Sequence, residues 1–205
     1  MRKLVVGTFV TLDGVMQAPG GPDEDRDGGF EHGGWSFTYW DDMMGAQIVE
    51  WTVQAGALLL GRKTYEIFAA HWPKVGDEDP VAKTLNSVPK YVASRSLNEV
   101  TWNNSSLIEG DVAEAVAALK REPGGEIQVT GSGDLIQTLL EHDLVDEFRL
   151  WIFPLVVGEG KRLFGRGTSP GALHLVDAKQ STTGVSIQTY ERAGEIEVGS
   201  FALEE

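Results

Sequence analysis

A glycine, two cations and a hydroxyl follow the apolar run in Leu58-Leu59-Leu60-Gly61-Arg62-Lys63-Thr64-Tyr65-Glu66. Residue types in this order suit the binding of a phosphate. Continuous apolar runs are the pattern of buried parallel strands. Ligands of open α/β sheets gather beyond the strands' carboxyl ends, where the next helix offers free N–H groups. Arg62 and Lys63 stand at such an end; the alternative is a plain turn at Gly61 with two solvated cations. A second stretch has the same layout, Glu126-Ile127-Gln128-Val129-Thr130 running into Gly131-Ser132-Gly133 and a helix. Glycines between strand and helix let backbone N–H groups approach a pyrophosphate, and the helix dipole favours the anion. A structural turn is the competing reading. Asp134 is expected to cap that helix, because a carboxylate turned inward would oppose a phosphate.

Other chemistries find less support. The chain has no cysteine, which removes disulfides, thiolate metal sites and thiol nucleophiles and fits a reducing compartment. Its four histidines, His32, His71, His142 and His174, show no metal-ligand spacing, so no metal is expected. Seventeen Lys and Arg against thirty-one Asp and Glu give a net charge of −14, which repels nucleic acid and anionic lipid. Cations placed at strand ends in so acidic a chain are the more informative. The 205 residues favour one domain spanning 1–205. Met1-Arg2-Lys3 and the apolar residues after it read as a first strand rather than a leader, and no run approaches the roughly 20 apolar residues of a membrane helix. A soluble cytoplasmic protein is expected.

The elements that must position these residues alternate. Strand patterns recur at 3–10, 57–60, 90–93, 126–130 and 146–157, with helical periodicity between them, which implies a largely parallel sheet with helices on both faces. A helix is expected from Asp41 to Val53, with Met44 and Trp51 on one side. Another spans 111–121, opened by Asp111-Val112-Ala113-Glu114 as a capping box and stopped at Pro123-Gly124-Gly125, and a third runs from Asp134 to Glu141. Residues 172–179 and 185–192 read as an antiparallel hairpin at the sheet edge. Glycine makes up 25 residues, many of them in the segment 19–34, which is expected to be a lid or solvated surface rather than a domain boundary. The aromatic group Trp35, Phe37, Tyr39 and Trp40 suits stacking on a flat heterocycle, the core, or a dimer contact.

Taken in order, several motifs resemble the dihydrofolate reductase-like proteins, in particular the C-terminal reductase domain of the riboflavin-biosynthesis deaminase-reductases. They are Thr11-Leu12-Asp13-Gly14, Gly61-Arg62-Lys63-Thr64-Tyr65-Glu66, Val92-Ala93-Ser94-Arg95, Gly131-Ser132-Gly133-Asp134-Leu135, and Pro154-Leu155-Val156-Val157-Gly158-Glu159-Gly160 with Leu163-Phe164. The resemblance covers nearly the whole chain; the deaminase half of the bifunctional proteins and its zinc pattern have no counterpart. It implies a three-layer fold, a homodimer and NADPH as cofactor. Arg62, Ser94 and Arg95 would flank the adenosine 2′-phosphate, Lys63 and Thr64 would approach the pyrophosphate, and Gly14 and Gly131 to Leu135 would complete the cofactor site. Arg forks and short hydroxyls suit a phosphate monoester on chemical grounds as well.

The substrate site is less legible. The resemblance places a substrate-binding carboxylate on the first helix, which makes Asp41 and Asp42 the catalytic candidates, although aspartates at a helix start are also common caps. Glu50 and Asp13 follow them. The expected activity is NADPH-dependent reduction of a small heterocycle or carbonyl-like group. The rivals are a non-catalytic nucleotide-binding or regulatory protein and a flavin-binding variant of the same fold.

Overall fold

The structure is a computed structural model that describes residues 1–201. Eight strands form one sheet: β1 (Leu4–Thr11), β2 (Ala55–Gly61), β3 (Lys90–Ala93), β4 (Ser105–Leu107), β5 (Glu126–Thr130), β6 (Glu147–Phe153), β7 (Ala172–Gln180) and β8 (Ser186–Gly194). Their order is β4-β3-β2-β5-β1-β6-β8-β7. The first six in that order are parallel, and β8 pairs antiparallel with both β6 and β7. Five helices cover it: α1 (Asp42–Thr52), α2 (Arg62–His71), α3 (Pro80–Ser87), α4 (Val112–Arg121) and α5 (Gly133–Glu141).

Strand alternation divides the core into two layers. Leu4, Val6 and Val10 of β1, Ile127 and Val129 of β5, and Phe148 and Leu150 of β6 turn one way, onto Val116 and Leu119 of α4 and Ile136 and Leu139 of α5. On the opposite face Leu58 and Leu60 meet Tyr65 of α2 and Val81 and Leu85 of α3, while Met44 of α1 packs on Trp151 and Phe153. The three-layer α/β arrangement, the mostly parallel sheet and the C-terminal hairpin are as the sequence implies.

Local signals explain the helix starts. Asp111 accepts from the N–H of Glu114 at 2.9 Å, the N-cap bond expected of it. Asp79 does the same for Val81 and Ala82 at 2.8 and 3.0 Å, with Pro80 as the first helical residue. That Asp-Pro start of α3 is readable in the sequence but was not among the expected helices. Nor was β4, only three residues long.

One expectation changes. The strand expected over 146–157 ends at Phe153, because Pro154 has no N–H to donate and Leu155 folds its N–H back to the Phe153 carbonyl at 2.8 Å. Its apolar stretch Leu150–Phe153 is central, between β1 and β8, with Leu150, Trp151 and Phe153 buried. It is therefore core, and the exposed outer strand is β7. Lys90 on β3 is completely buried; its ammonium donates to the carbonyls of Asn86, Val88 and Asn103 at 3.2, 2.9 and 2.8 Å and lies 4.4 Å from the Trp102 ring centre. It closes the carboxyl end of α3 from inside. No helix among the described residues is long and apolar enough to cross a membrane.

Candidate active site

A cleft of about 1500 Å³ opens across the carboxyl ends of β2, β3, β5 and β1 and runs down the sheet face beneath α1. The β2 and β3 termini lie side by side, Gly61 in register with Ala93, so the turns after them face the same end of the cleft. Gly61 to Thr64, Ser94, Arg95 and Gly131 to Leu135 all line it. Of the residues expected at a nucleotide site, only Gly14 does not. Its left-handed φ of +81° serves the turn after β1, where its carbonyl accepts from Leu163 at 3.1 Å.

Ser132 joins the two glycine turns. It enters α5 in a left-handed conformation, φ +70°, rare for a residue with a side chain. Its hydroxyl accepts from the Gly61 N–H at 2.9 Å and donates to the Thr64 hydroxyl at 2.8 Å. A Cβ at Gly61 would stand 3.0 Å from that side chain, so a larger residue there would push Ser132 away by a few tenths of an ångström. Asp134 is not the cap of α5: Ser132 occupies the cap position, and Asp134 lies exposed in the first turn, where its charge complements the helix dipole. The Ser94 hydroxyl accepts from the N–H groups of Ser96 and Leu97 at 3.2 and 3.0 Å, which fixes the turn that carries Arg95. Arg62 and Arg95 are both exposed and have no ion-pair partner among the described residues. An exposed guanidinium pair at neighbouring strand ends fits a phosphate monoester.

Lys63 is held otherwise. Its ammonium bonds Asp25 at 2.8 Å and Asp27 at 2.5 Å, and Lys161 bonds the same two carboxylates at 2.6 and 2.8 Å. Burial works against the Lys63 charge, but the two carboxylates outweigh it and raise its proton affinity. The lysines in turn hold Asp27 down to about 2. This clasp fastens the glycine-rich segment to the cleft, which Pro19 to Asp25 and Asp27 line. The segment closes on itself, since Gly34 donates to the Ala18 carbonyl at 2.8 Å and Ser36 to that of Pro19. Half of the expected lid thus faces the site, and Lys161 and Gln17 secure it. Neither was evident in the sequence, because both meet the segment only through the fold.

The catalytic candidates lie elsewhere. Asp41 is the N-cap of α1, accepting from Met44 at 2.9 Å through one oxygen and from the N–H and hydroxyl of Thr182 at 2.8 and 2.7 Å through the other. These bonds, the Met44 N–H first, hold its carboxyl below its usual range. Asp42 is exposed, Glu50 pairs outward with Gln47 and Lys179, and none of the three lines the cleft. Asp13 is drawn down to about 2 by the Thr11 hydroxyl and by the N–H groups of Gly158 and Val157, so it ties the 154–160 loop to the end of β1. Trp35 and Tyr39 pack edge-on against Phe153, Trp40 stacks on Trp151, and Phe37 points to solvent. The aromatics that reach the cleft are instead Phe9, Trp51, Phe68, Trp72 and Trp151. With them come Gln128 and Arg149, whose strand positions carried no signal beyond being polar residues within a sheet.

Comparison with known proteins agrees with this geometry. The family model of the RibD C-terminal domain matches residues 2–188. The uncharacterized protein YyaP of Bacillus subtilis is 33% identical over 187 residues, covering 90% of this chain and 92% of that protein. A crystal structure from Shewanella sp. PV-4, named for riboflavin biosynthesis, superimposes with a TM-score of 0.64 at 22% identity over 93% of this chain and 98% of that one. The deaminase/5-amino-6-(5-phosphoribosylamino)uracil reductase of Thermotoga maritima gives a TM-score of 0.62 at 13% identity, over 94% of this chain and 57% of that longer one. At these identities the two structures bear on the fold alone. The strand order, the paired glycine turns and the sequence match converge: the chain belongs to the RibD C-terminal domain family, a family of reductase-like domains.

Proposed function

We propose that the protein is an NADPH-dependent reductase that delivers hydride to a small heterocyclic or carbonyl-like substrate. The observation that carries this reading is the pair Arg62 and Arg95, without ion-pair partners among the described residues, at adjacent strand ends in a chain of net charge −14. Around them, Ser132 holds the Gly61 and Gly131 turns together, and Thr64, which accepts from Ser132, presents its hydroxyl at the cleft. NADPH supplies the hydride when bound. The chain's own residues hold the phosphates, exclude water with the clasped segment and shape the acceptor site. Asp41 and Asp42 take no part in this reading. Homodimerisation belongs to the same proposal, with the exposed outer strand β7 as its surface.

Titration of Arg62→Ala and Arg95→Ala with NADPH and NADH tests the assignment. Each lost charge-assisted contact should cost about 1.5–3 kcal/mol, roughly 10- to 150-fold in NADPH affinity, with little effect on NADH. Equal losses for both cofactors would remove the 2′-phosphate assignment. A protein that binds NADPH yet oxidises it with no acceptor in a broad screen would be the non-catalytic rival, and a yellow purified protein the flavin variant.

A further inference from the structure

From the strand ends the cleft continues over the sheet face as a chamber floored by a glycine on the central strand. Alternation along β1 turns Val5, Gly7 and Phe9 toward α1, and the parallel registers set Gly7 beside Thr130 of β5 and Arg149 of β6. A Cβ at Gly7 would have nothing within 4 Å, so the missing side chain leaves a hollow in the sheet face. Phe9, Trp51 and Trp151 line this chamber, with ring centres 5.5 Å apart for Phe9 and Trp151 and 5.2 Å for Trp51 and Trp151. The hollow adjoins the nucleotide site directly, since Gly131 donates its N–H to the Gly7 carbonyl at 3.3 Å.

The charge in this chamber is already balanced. Arg149 donates to Glu147 at 2.7 Å and to both oxygens of Glu126 at 2.7 and 2.9 Å. Of the other cations lining the cleft, Arg62, Lys63 and Arg95 follow β2 and β3, and Lys161 is clasped to the glycine-rich segment. Gln128 uses its amide N–H groups on the Trp51 carbonyl and Glu126, at 2.6 and 2.5 Å, which leaves its carbonyl oxygen without a protein partner among the described residues. A phosphate brought here would meet only the Arg149 guanidinium, already spent on two carboxylates outside the cleft lining, and no free cation to replace its hydration. A flat uncharged ring would meet aromatic walls, a bare backbone floor and one hydrogen-bond acceptor.

We propose that the hollow over Gly7 seats the hydride acceptor, and that this acceptor is a neutral, unphosphorylated planar heterocycle presenting an N–H donor to the Gln128 carbonyl. The inference rests on the reductase reading of the cleft. In the reduction the carbon of the acceptor's C=N or C=O bond gains the hydride and the π pair moves to the nitrogen or oxygen. That atom takes a proton from water, and NADPH is oxidised to NADP⁺.

The test titrates NADP⁺-saturated protein with 5-amino-6-(ribosylamino)uracil and with its 5′-phosphate, following tryptophan fluorescence. The unphosphorylated compound should bind at least about 10-fold more tightly, and Gly7→Val should weaken its binding by about 10-fold or more by filling the floor, with Gly7→Ala intermediate. Both variants should fold, because the added atoms enter open space. Equal or tighter binding of the phosphate ester, no binding of either compound, or full binding by Gly7→Val would each overturn the proposal. The same titration without NADP⁺ separates the two readings: if NADP⁺ itself fails to bind, the reductase assignment falls, while the preference of the chamber is still read directly.

Discussion

Replacing Arg149 by Met should be among the most damaging single changes in this protein. The guanidinium bonds Glu126 with two oxygens and Glu147 with one, at 2.7–2.9 Å, and lies 5.3 Å from the Trp51 ring centre. The three charged side chains are 8%, 11% and 8% exposed. Methionine keeps the length and apolar contact of the stem but strands the carboxylates. Breaking a buried pair from one side costs about 3–5 kcal/mol, because the remaining charge is desolvated and alone. Two contacts moderate this: Lys3 still reaches Glu147 at 3.1 Å, and Gln128 still donates to Glu126 at 2.5 Å. The lower end, about 3 kcal/mol, is therefore expected. For a chain of this size that is about 6–12 °C in Tm. Urea denaturation at neutral pH measures it directly. Adding Glu126→Gln to Arg149→Met should recover a large part of the loss, since it removes the orphaned charge. A single variant within 1 kcal/mol of the parent, or a double variant no better than the single, would refute the argument that the network is energetically closed around Arg149.

Two further outcomes follow from the charges. Lys161→Met removes one arm of the clasp, and since an exposed ion pair shifts an equilibrium only about 1.5- to 5-fold, amides 19–27 should exchange about 2- to 10-fold faster; the parent at 1 M salt should move in the same direction, and unchanged exchange in both would mean that packing, not charge, holds the segment. Burial pushes the Lys90 ammonium down to about 8, although three carbonyls and the Trp102 ring favour the charged form. From about pH 8 to the ordinary lysine value near 10.5 the unfolded chain therefore holds a proton that the folded one has released, and stability contributed by this group rises with pH across that window. Compared with Lys90→Met, the parent should gain stability between pH 7.5 and 10, and a flat difference between the two would show the lysine to be charged throughout.

What the sequence determines here is what neighbours along the chain decide among themselves. An apolar run that ends in glycine and continues with helical period makes β2, Gly61 and α2 readable, and the same holds for β5, the glycine turn and α5. The Asp111 cap is local too, a bond over three residues. Parallel strands force these turns to one edge of the sheet, so most of the residues that line the cleft at that edge could be named in advance. The remainder depends on residues far apart in sequence that meet only when the sheet is assembled. Asp41 looks like any helix-opening carboxylate until Thr182, 141 positions away, takes its second oxygen. Lys63 reads as a free phosphate ligand until Asp25 reaches it across 38 positions. Arg149, Glu126 and Gln128 gain their meaning from strand order and register, which place them on one face beside a glycine of β1. Backbone periodicity and caps carry energy over a few residues and leave a mark in the local sequence; side-chain pairing across a sheet depends on which strand lies next to which, and only the tertiary structure decides that.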